Sequence, residues 1–401
     1  MKVAVIGGGA AGFFAAINVR ENFPKASVVI YEKSDKVLAK VKISGGGRCN
    51  FTNAIAPINE FAKAYPRGGM KLRKAFGLFA NVDIMQWFAK RGVPYVVQED
   101  NSVFPVSQDS QTIINCFLQE TKRLNVDIKT ESKVEAIIPN LNSISLIVDN
   151  EHKIYDKVIV TTGGSPKRKG LEWLEKLGHT IINPVPSLFT FNMPTESIVK
   201  LMGIVVDNTL VSIRGSKLQT RGALLITHWG MSGPVILKLS AFGARALNEK
   251  DYNFEIQVNW IDEKNNDLVF DYLSGIIKEN PKKKLGNIRP FGLQTRLWYY
   301  ILEKVKLSSE KVWSELGRKQ QNKLVAILTN DTYKVQGKTT FKEEFVTSGG
   351  ISLTDIDFKT MQSKIVPNLY FAGEVLDIDG ITGGFNLQAA WTTGFIAAKL
   401  L

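Results

Sequence analysis

Cysteine, histidine and long apolar runs are all scarce in this chain, and each scarcity removes a class of function. Only Cys49 and Cys116 occur among 401 residues, far apart in sequence. That excludes a disulfide framework, a C-x-x-C redox pair and a structural zinc cluster, so no metal site is expected. Of three histidines only His228 lies in a stretch rich in glycine and tryptophan. No run approaches the ~20 apolar residues that cross a bilayer. Met1 leads directly into an apolar segment without a charged and apolar leader, so a cytoplasmic protein that avoids membranes is expected. Acidic residues are also in deficit, and the net charge of +13 raises nucleic acid, acidic lipid or a polyanionic substrate as partners. The cations are spread along the chain, densest at Lys282-Lys283-Lys284, with no aromatic-interleaved basic motif. A solvated basic face is the simpler reading, which leaves nucleic acid the lesser one.

Glycine, by contrast, is placed with purpose. Val3-Ala4-Val5-Ile6 is an apolar run suited to a central parallel strand, and it meets Gly7-Gly8-Gly9-Ala10-Ala11-Gly12 before a helical segment carrying Phe14, Ala15 and Ile17. In this G-x-G-x-x-G spacing Gly7 permits the turn, Gly9 lets backbone approach a pyrophosphate, and Gly12 lets helix and strand pack closely. The first helical amides, those of Ala10 and Ala11 onward, face the phosphates. Twenty residues past Gly12 the run Ser27-Val28-Val29-Ile30-Tyr31 ends in Glu32, followed by Lys33. A carboxylate there accepts hydrogen bonds from a ribose and repels a 2′-phosphate.

Residues 42–53 read KISGGGRCNFTN, too glycine-rich for a helix. Gly45, Gly46 and Gly47 can turn amides toward an anion or admit a flat ring, with Lys42, Ser44, Arg48 and Asn50 as donors around them. Helical spacing over 81–90 and 110–124 is followed by short strand-like runs between 126 and 161. Lys157-Val158-Ile159-Val160-Thr161-Thr162-Gly163-Gly164 is a second buried strand ending on glycines. Alternating runs after Pro184-Val185-Pro186 suggest a small β domain, and 262–328 turns helical and polar. His228, in THWGMSGP at 227–234, is a candidate acid or base, although a lone histidine is more often structural. Finally Leu369-Tyr370-Phe371-Ala372-Gly373-Glu374 reads as a strand ending in a carboxylate. Asp377, Asp379 and Gly380 form a turn, and Gly383-Gly384-Phe385-Asn386-Leu387 opens the last helix, expected to continue to the final residue. Free amides and a positive dipole end at such a start favour negative charge.

Together, KISGGGRCNFTN, THWGMSGP and the run LYFAGEVLDIDGITGGFNLQAAWTTG at 369–394 resemble the aminoacetone-oxidase-like and bile-acid-reductase-like bacterial flavoproteins, NAD(P)/FAD-dependent oxidoreductases, over nearly the whole chain. The resemblance implies an α/β, Rossmann-type two-dinucleotide-binding-domain flavoprotein fold with inserted β-barrel-like and helical cap domains. The expected FAD-binding domain is 1–186 with 340–401, the β domain 187–260 completed by about 329–345, and the helical cap 261–328. It implies extended FAD: Gly7, Gly9, Ala10, Ala11 and Gly12 on the pyrophosphate, Glu32 and Lys33 by the adenosine ribose, Val134 at the adenine through its backbone. Lys42, Ser44, Gly45, Gly46, Arg48, Cys49 and Asn50 would lie near pyrophosphate and isoalloxazine, and Thr162 and Gly163 beside the cofactor. Gly373, Glu374 and Asp377 would serve the ribityl and phosphate region, and Gly384, Phe385, Asn386 and Leu387 the flavin N1/C2=O edge. After Gly164 the chain departs from the pattern, since 165–170 run quickly into a helix expected at 171–177.

Flavin carries the redox chemistry, so the protein supplies orientation and electrostatics. Arg48, Asn50 and His228 are the catalytic candidates, with Cys49 a packed small residue lacking a neighbouring base. The expected reaction is hydride transfer between flavin and a small organic substrate, an amine, ketone or steroid-like compound. With one G-x-G-x-x-G, NAD(P)H would bind transiently as electron donor, or oxygen would be the oxidant. The alternatives are an NAD-dependent dehydrogenase and a flavin-containing, tRNA-modification-like nucleic-acid protein. The oligomeric state is left open.

Overall fold

The structure, a computed structural model, describes residues 1–340 and 346–401. It divides into two compact units, Met1–Ser187 with Phe341–Leu401, and Leu188–Thr340. The last five positions of the expected β-domain completion, 341–345, lie outside the described residues.

In the first unit the opening strand, Lys2–Ile6, is central because Val3, Ala4, Val5 and Ile6 are all buried, as a strand covered on both faces requires. It pairs in parallel with Ser27–Tyr31 on one side and Lys157–Val160 on the other. Asp127–Lys129 and Leu369–Phe371 extend the parallel array outward, and Gln362–Ser363 and Ile356–Asp357 close one edge antiparallel. The first helix, Ala10–Asn22, is buried from Ala11 through Val19, so it has no solvent face to make polar. The C-terminal helix, Phe385–Ala397, lies along it, with Phe14 and Trp391 rings 5.6 Å apart and Gly394 close to the Ala11 carbonyl. That helix stops at Ala397, before the chain end. The segment expected as a helix over 171–177 is only Glu172–Glu175, preceded by a single 3-10 turn at Arg168–Leu171.

His179 is buried in this unit, its Nε2 2.8 Å from Ser363 Oγ and its ring edge-on to Phe371. Burial holds its pKa below the usual 6.5. The unfolded chain therefore takes up a proton first as pH falls below 6.5, and stability is lost in that direction. Urea midpoints measured from neutral to mildly acidic pH should show this slope, and His179→Phe should flatten it.

The second unit is built on an antiparallel seven-stranded sheet in the order Asp331–Gln336, Asn253–Asn259, Val205–Ile213, Gln219–Thr227, Gly230–Ser232, Thr190–Asn192, Lys338–Thr339. Pro234–Asn248 starts with proline at its first turn, which needs no amide there. Asn266–Glu279, Thr295–Lys304 and Arg318–Thr329 supply the helical part, whose core includes the parallel-stacked Trp298 and Trp313.

Candidate functional site

The first unit gathers most of the residues picked out above around the carboxyl ends of its parallel strands. Gly12 cannot carry a side chain: its first carbon would lie 2.0 Å from the Gly7 carbonyl oxygen and 2.7 Å from Thr161 Oγ1. Thr161 Oγ1 in turn sits 3.0 Å from the Ile6 and 2.9 Å from the Gly7 carbonyl, so the segment that leaves the strand at Val160 toward Thr162 and Gly163 is stitched to the glycine turn. Gly9 is different. Nothing approaches within 4 Å of where its side chain would stand, and it opens the first helix without a capping side chain or an acid in the first turn. The orphan amides of Ala10 and Ala11 thus face open space with the positive dipole end.

Glu32 stands at the expected strand end and is held there. Its Oε2 accepts from the Gly8 amide at 2.8 Å, and Oε1 accepts from the Ser34 amide and hydroxyl. With both acceptor sites of Oε1 taken, the lone pair left for a ligand is on Oε2. Lys33 is exposed. The Ser132 amide donates to the Glu32 carbonyl, which brings the strand Val134–Pro139 and its first residue beside this acid.

In the 44–50 loop Gly45, Gly46 and Gly47 all take positive φ, and space is open above Gly46 and Gly47. The neighbouring side chains are partly committed. Ser44 Oγ donates to the Val41 carbonyl, and Lys42 Nζ to Gln111 Oε1 at 2.9 Å. The Arg48 guanidinium lies 4.3 Å from the centre of the Phe104 ring, and Asn50 Oδ1 accepts from the Val103 amide. Cys49 is fully buried, which pushes its thiol up to about 12 and leaves it a packed group rather than a nucleophile.

The C-terminal segment closes onto both glycine elements. Gly373 packs on the first helix so tightly that a side chain would meet Ala11 Cβ at 2.9 Å. Glu374 Oε1 accepts from the Thr347 amide at 3.0 Å, while Oε2 pairs with Lys40 at 2.8 Å. Gly384, at φ +88°, begins the last helix against the 44–53 loop: a side chain would strike Thr52 O at 2.5 Å and Asn50 Oδ1 at 2.7 Å. Asn386 is turned back, its amide bracketing the Gly380 N–H and carbonyl, and Phe385 is buried among Phe61 and Tyr65. Their side chains therefore shape the turn, and backbone amides are what this helix start presents.

Several residues here were not singled out from sequence. Arg67 reaches Asp379 through Nε at 2.5 Å and through Nη2, and Ser187 Oγ donates to the same carboxylate at 2.7 Å. Asp379 is fully buried, and burial raises its pKa against the opposing pull of Arg67. Asp377 is half-buried in the same turn. Val346–Ile351 carries Gly349 and Gly350 at positive φ, where side chains would hit Asn183 O and Val375 O. That double glycine inside a strand was the signal available. His228 belongs to the second unit, exposed and edge-on to Trp229, and is not among the residues gathered in the first.

As a fit for an extended dinucleotide, the first unit offers two uncapped helix starts, open space at Gly9, Gly46, Gly47 and Gly163, and carboxylates at Glu32 and Glu374. Among the described residues no cluster able to hold a metal ion occurs, and no helix is long and apolar enough to cross a membrane.

Residues 1–400 match the family described as HI0933-like protein Rossmann domain. The 3-dehydro-bile acid delta(4,6)-reductase of Clostridium scindens is 26% identical over 99% of this chain and 98% of its own length. Ribosomal RNA dihydrouridine synthases of Haemophilus influenzae and Escherichia coli are 27% and 25% identical, each over 98% of this chain and 96% of its own. Among solved structures, 3-ketosteroid delta1-dehydrogenase from Sterolibacterium denitrificans superposes with a TM-score of 0.51 over 99% of this chain and 98% of that one, at 12% identity. The shared element is the fold.

Proposed function

From the premise that the chain belongs to the HI0933-like Rossmann-domain family, we propose that it is an FAD-dependent oxidoreductase acting on a carbon–carbon double bond conjugated to a carbonyl. The observation that carries this reading is the convergence of two uncapped helix starts, one from each end of the chain, on glycine turns with room for a cofactor. When bound, FAD supplies the hydride chemistry. The chain's own residues do the rest. Amides at Gly9 to Ala11 hold the pyrophosphate, Glu32 accepts from the adenosine ribose, and Lys40 with Glu374 flanks the phosphate and ribityl region. The amides of 385–387 lower the energy of negative charge on the flavin's pyrimidine edge.

The narrower substrate class follows from the relatives' names. A bile-acid Δ4,6 system conjugated with a 3-oxo group and the uracil C5=C6 bond beside its carbonyl are both electron-poor alkenes that accept hydride. NAD(P)H would serve transiently as donor. A second reading keeps the same chemistry but places the alkene in RNA, favoured by the net charge of +13 and by the two ribosomal-RNA relatives.

The test is anaerobic. Reduction by NADH or NADPH is followed at the flavin absorbance, then a conjugated steroid enone or a uridine-containing RNA is added and reoxidation recorded. Reoxidation by one of them is the expected result. A colourless protein that releases no flavin on denaturation, or a reduced flavin indifferent to both, overturns the reading.

A further inference from the structure

The positive charge has its largest excess around the Lys282-Lys283-Lys284 run. Residues 281–334, in the second unit, hold twelve lysines and arginines against four acids, an excess of eight out of the chain's thirteen. Within that stretch Lys284 pairs with Glu310 and Lys304 with Asp331. Lys282, Lys283, Lys306, Lys319 and Lys323 are exposed, and none has an ion-pair partner among the described residues.

Folding draws part of this charge together. A cleft of about 420 Å³ is walled by Lys304, Lys306 and Lys323, with Asn330 and Asp331 also lining it. Asp331 does little to neutralise it, because its buried carboxylate is consumed by Trp260 Nε1 at 3.0 Å, the Tyr333 hydroxyl and Lys304. The acid acts as a brace that lays Lys304 across the Tyr333 ring, 3.9 Å from its centre. A second group forms where the Leu285 amide donates to the Lys311 carbonyl, setting Lys311 beside the Lys282 to Lys284 run. The only large apolar side chains exposed in 281–334 are Phe291 and Tyr299, and Phe291 stacks on Tyr272 at 4.2 Å. Unpaired cations around a cleft suit phosphates, whereas a membrane-binding face needs an exposed aliphatic stripe, and no large aliphatic side chain is exposed in 281–334.

We propose that the second unit docks RNA through its phosphate backbone at the Lys304, Lys306 and Lys323 cleft. This rests on the RNA reading above and goes beyond it by naming the surface. Each phosphate neutralised releases counterions, so binding falls as a power of salt concentration.

The experiment uses the full-length protein and a fluorescein-labelled oligouridylate of about twenty nucleotides, followed by anisotropy. With about four phosphates engaged, affinity should drop roughly 50-fold between about 50 and 200 mM salt. Lys306→Ala with Lys323→Ala should weaken binding about 10-fold and make the log–log salt slope shallower by about 1.4, with flavin absorbance and melting unchanged. Lys304 stays intact in this variant, because removing it would strand Asp331. No binding at low salt, an unchanged slope in the variant, or an equal loss from Lys90→Ala with Lys122→Ala in the first unit overturns the proposal. So does tighter, variant-sensitive retention on phosphatidylglycerol vesicles than on the oligouridylate. Flavin absorbance of the same wild-type sample reads the oxidoreductase proposal separately.

Discussion

Gly9→Val should give a protein that folds and, compared as apo forms, melts like the wild type, yet purifies colourless. The backbone at Gly9, φ −91° and ψ −168°, is open to any residue, and among the described residues no atom beyond the chain neighbours lies within 4 Å of where a Cβ would stand. Valine there is placed to obstruct a ligand approaching the amides of Ala10 and Ala11. Two hydrogen bonds to an anion at about 1.5–3 kcal/mol each amount to a hundred-fold or greater loss of FAD affinity. Gly12→Ala is the opposite control. Its methyl group would overlap the Gly7 carbonyl, so it should lower the stability of the apo form as well as flavin content. Fluorescence titration of apo-protein with FAD, alongside melting of both variants, separates the two effects. If Gly9→Val binds FAD normally, the cofactor does not lie on this turn.

Arg67→Ala should cost as much stability as truncating a large core side chain. Asp379 is fully inaccessible and Arg67 nearly so, at 0% and 11% side-chain exposure. Removing the guanidinium leaves a buried carboxyl with only Ser187 as partner, a loss of about 3–5 kcal/mol. For a unit of this size that is roughly 10 °C in melting temperature. The double variant Arg67→Ala with Asp379→Ala should be less unstable than the two separate losses added together, since neither partner is then stranded. A pH signature accompanies it. Burial already raises the Asp379 pKa, and without Arg67 nothing of comparable strength opposes that. The folded state of Arg67→Ala therefore holds its proton to higher pH than the unfolded chain, so its deficit should shrink as pH falls toward the ordinary carboxyl value. Because Asp379 sits in the turn that leads into Gly384, the variant should also bind FAD more weakly. A loss under about 1 kcal/mol in urea unfolding would show that the pair does not organise this turn.

These two positions mark the line between what could be read from the residues in order and what could not. Gly9 was legible because its meaning is local: an apolar run, a glycine spacing and a helix start occupy ten consecutive residues, and a carboxylate follows at the next strand end. The same holds for the 44–50 loop and for the glycine start of the last helix. Arg67 was not legible. It lies in an unremarkable turn, and its partner is 312 positions away. Likewise nothing in the local pattern at Glu32 says that Gly8 donates to it, or that Asn386 would spend its amide on Gly380. The run of three lysines was legible, and around it lies a 54-residue stretch with only four acids, whose cations the fold draws partly into one cleft.

The order of residues alone determined the parallel-strand core, the glycine turns, the acid at the strand end and the family to which the chain belongs. Each of these depends on short-range rules of backbone geometry and side-chain periodicity. Only the tertiary structure decided which side chains remain available to a ligand and which are consumed in holding the turns. Hydrogen bonds and buried charges are satisfied by whatever packing brings near, and that is set by the whole fold rather than by neighbours along the chain.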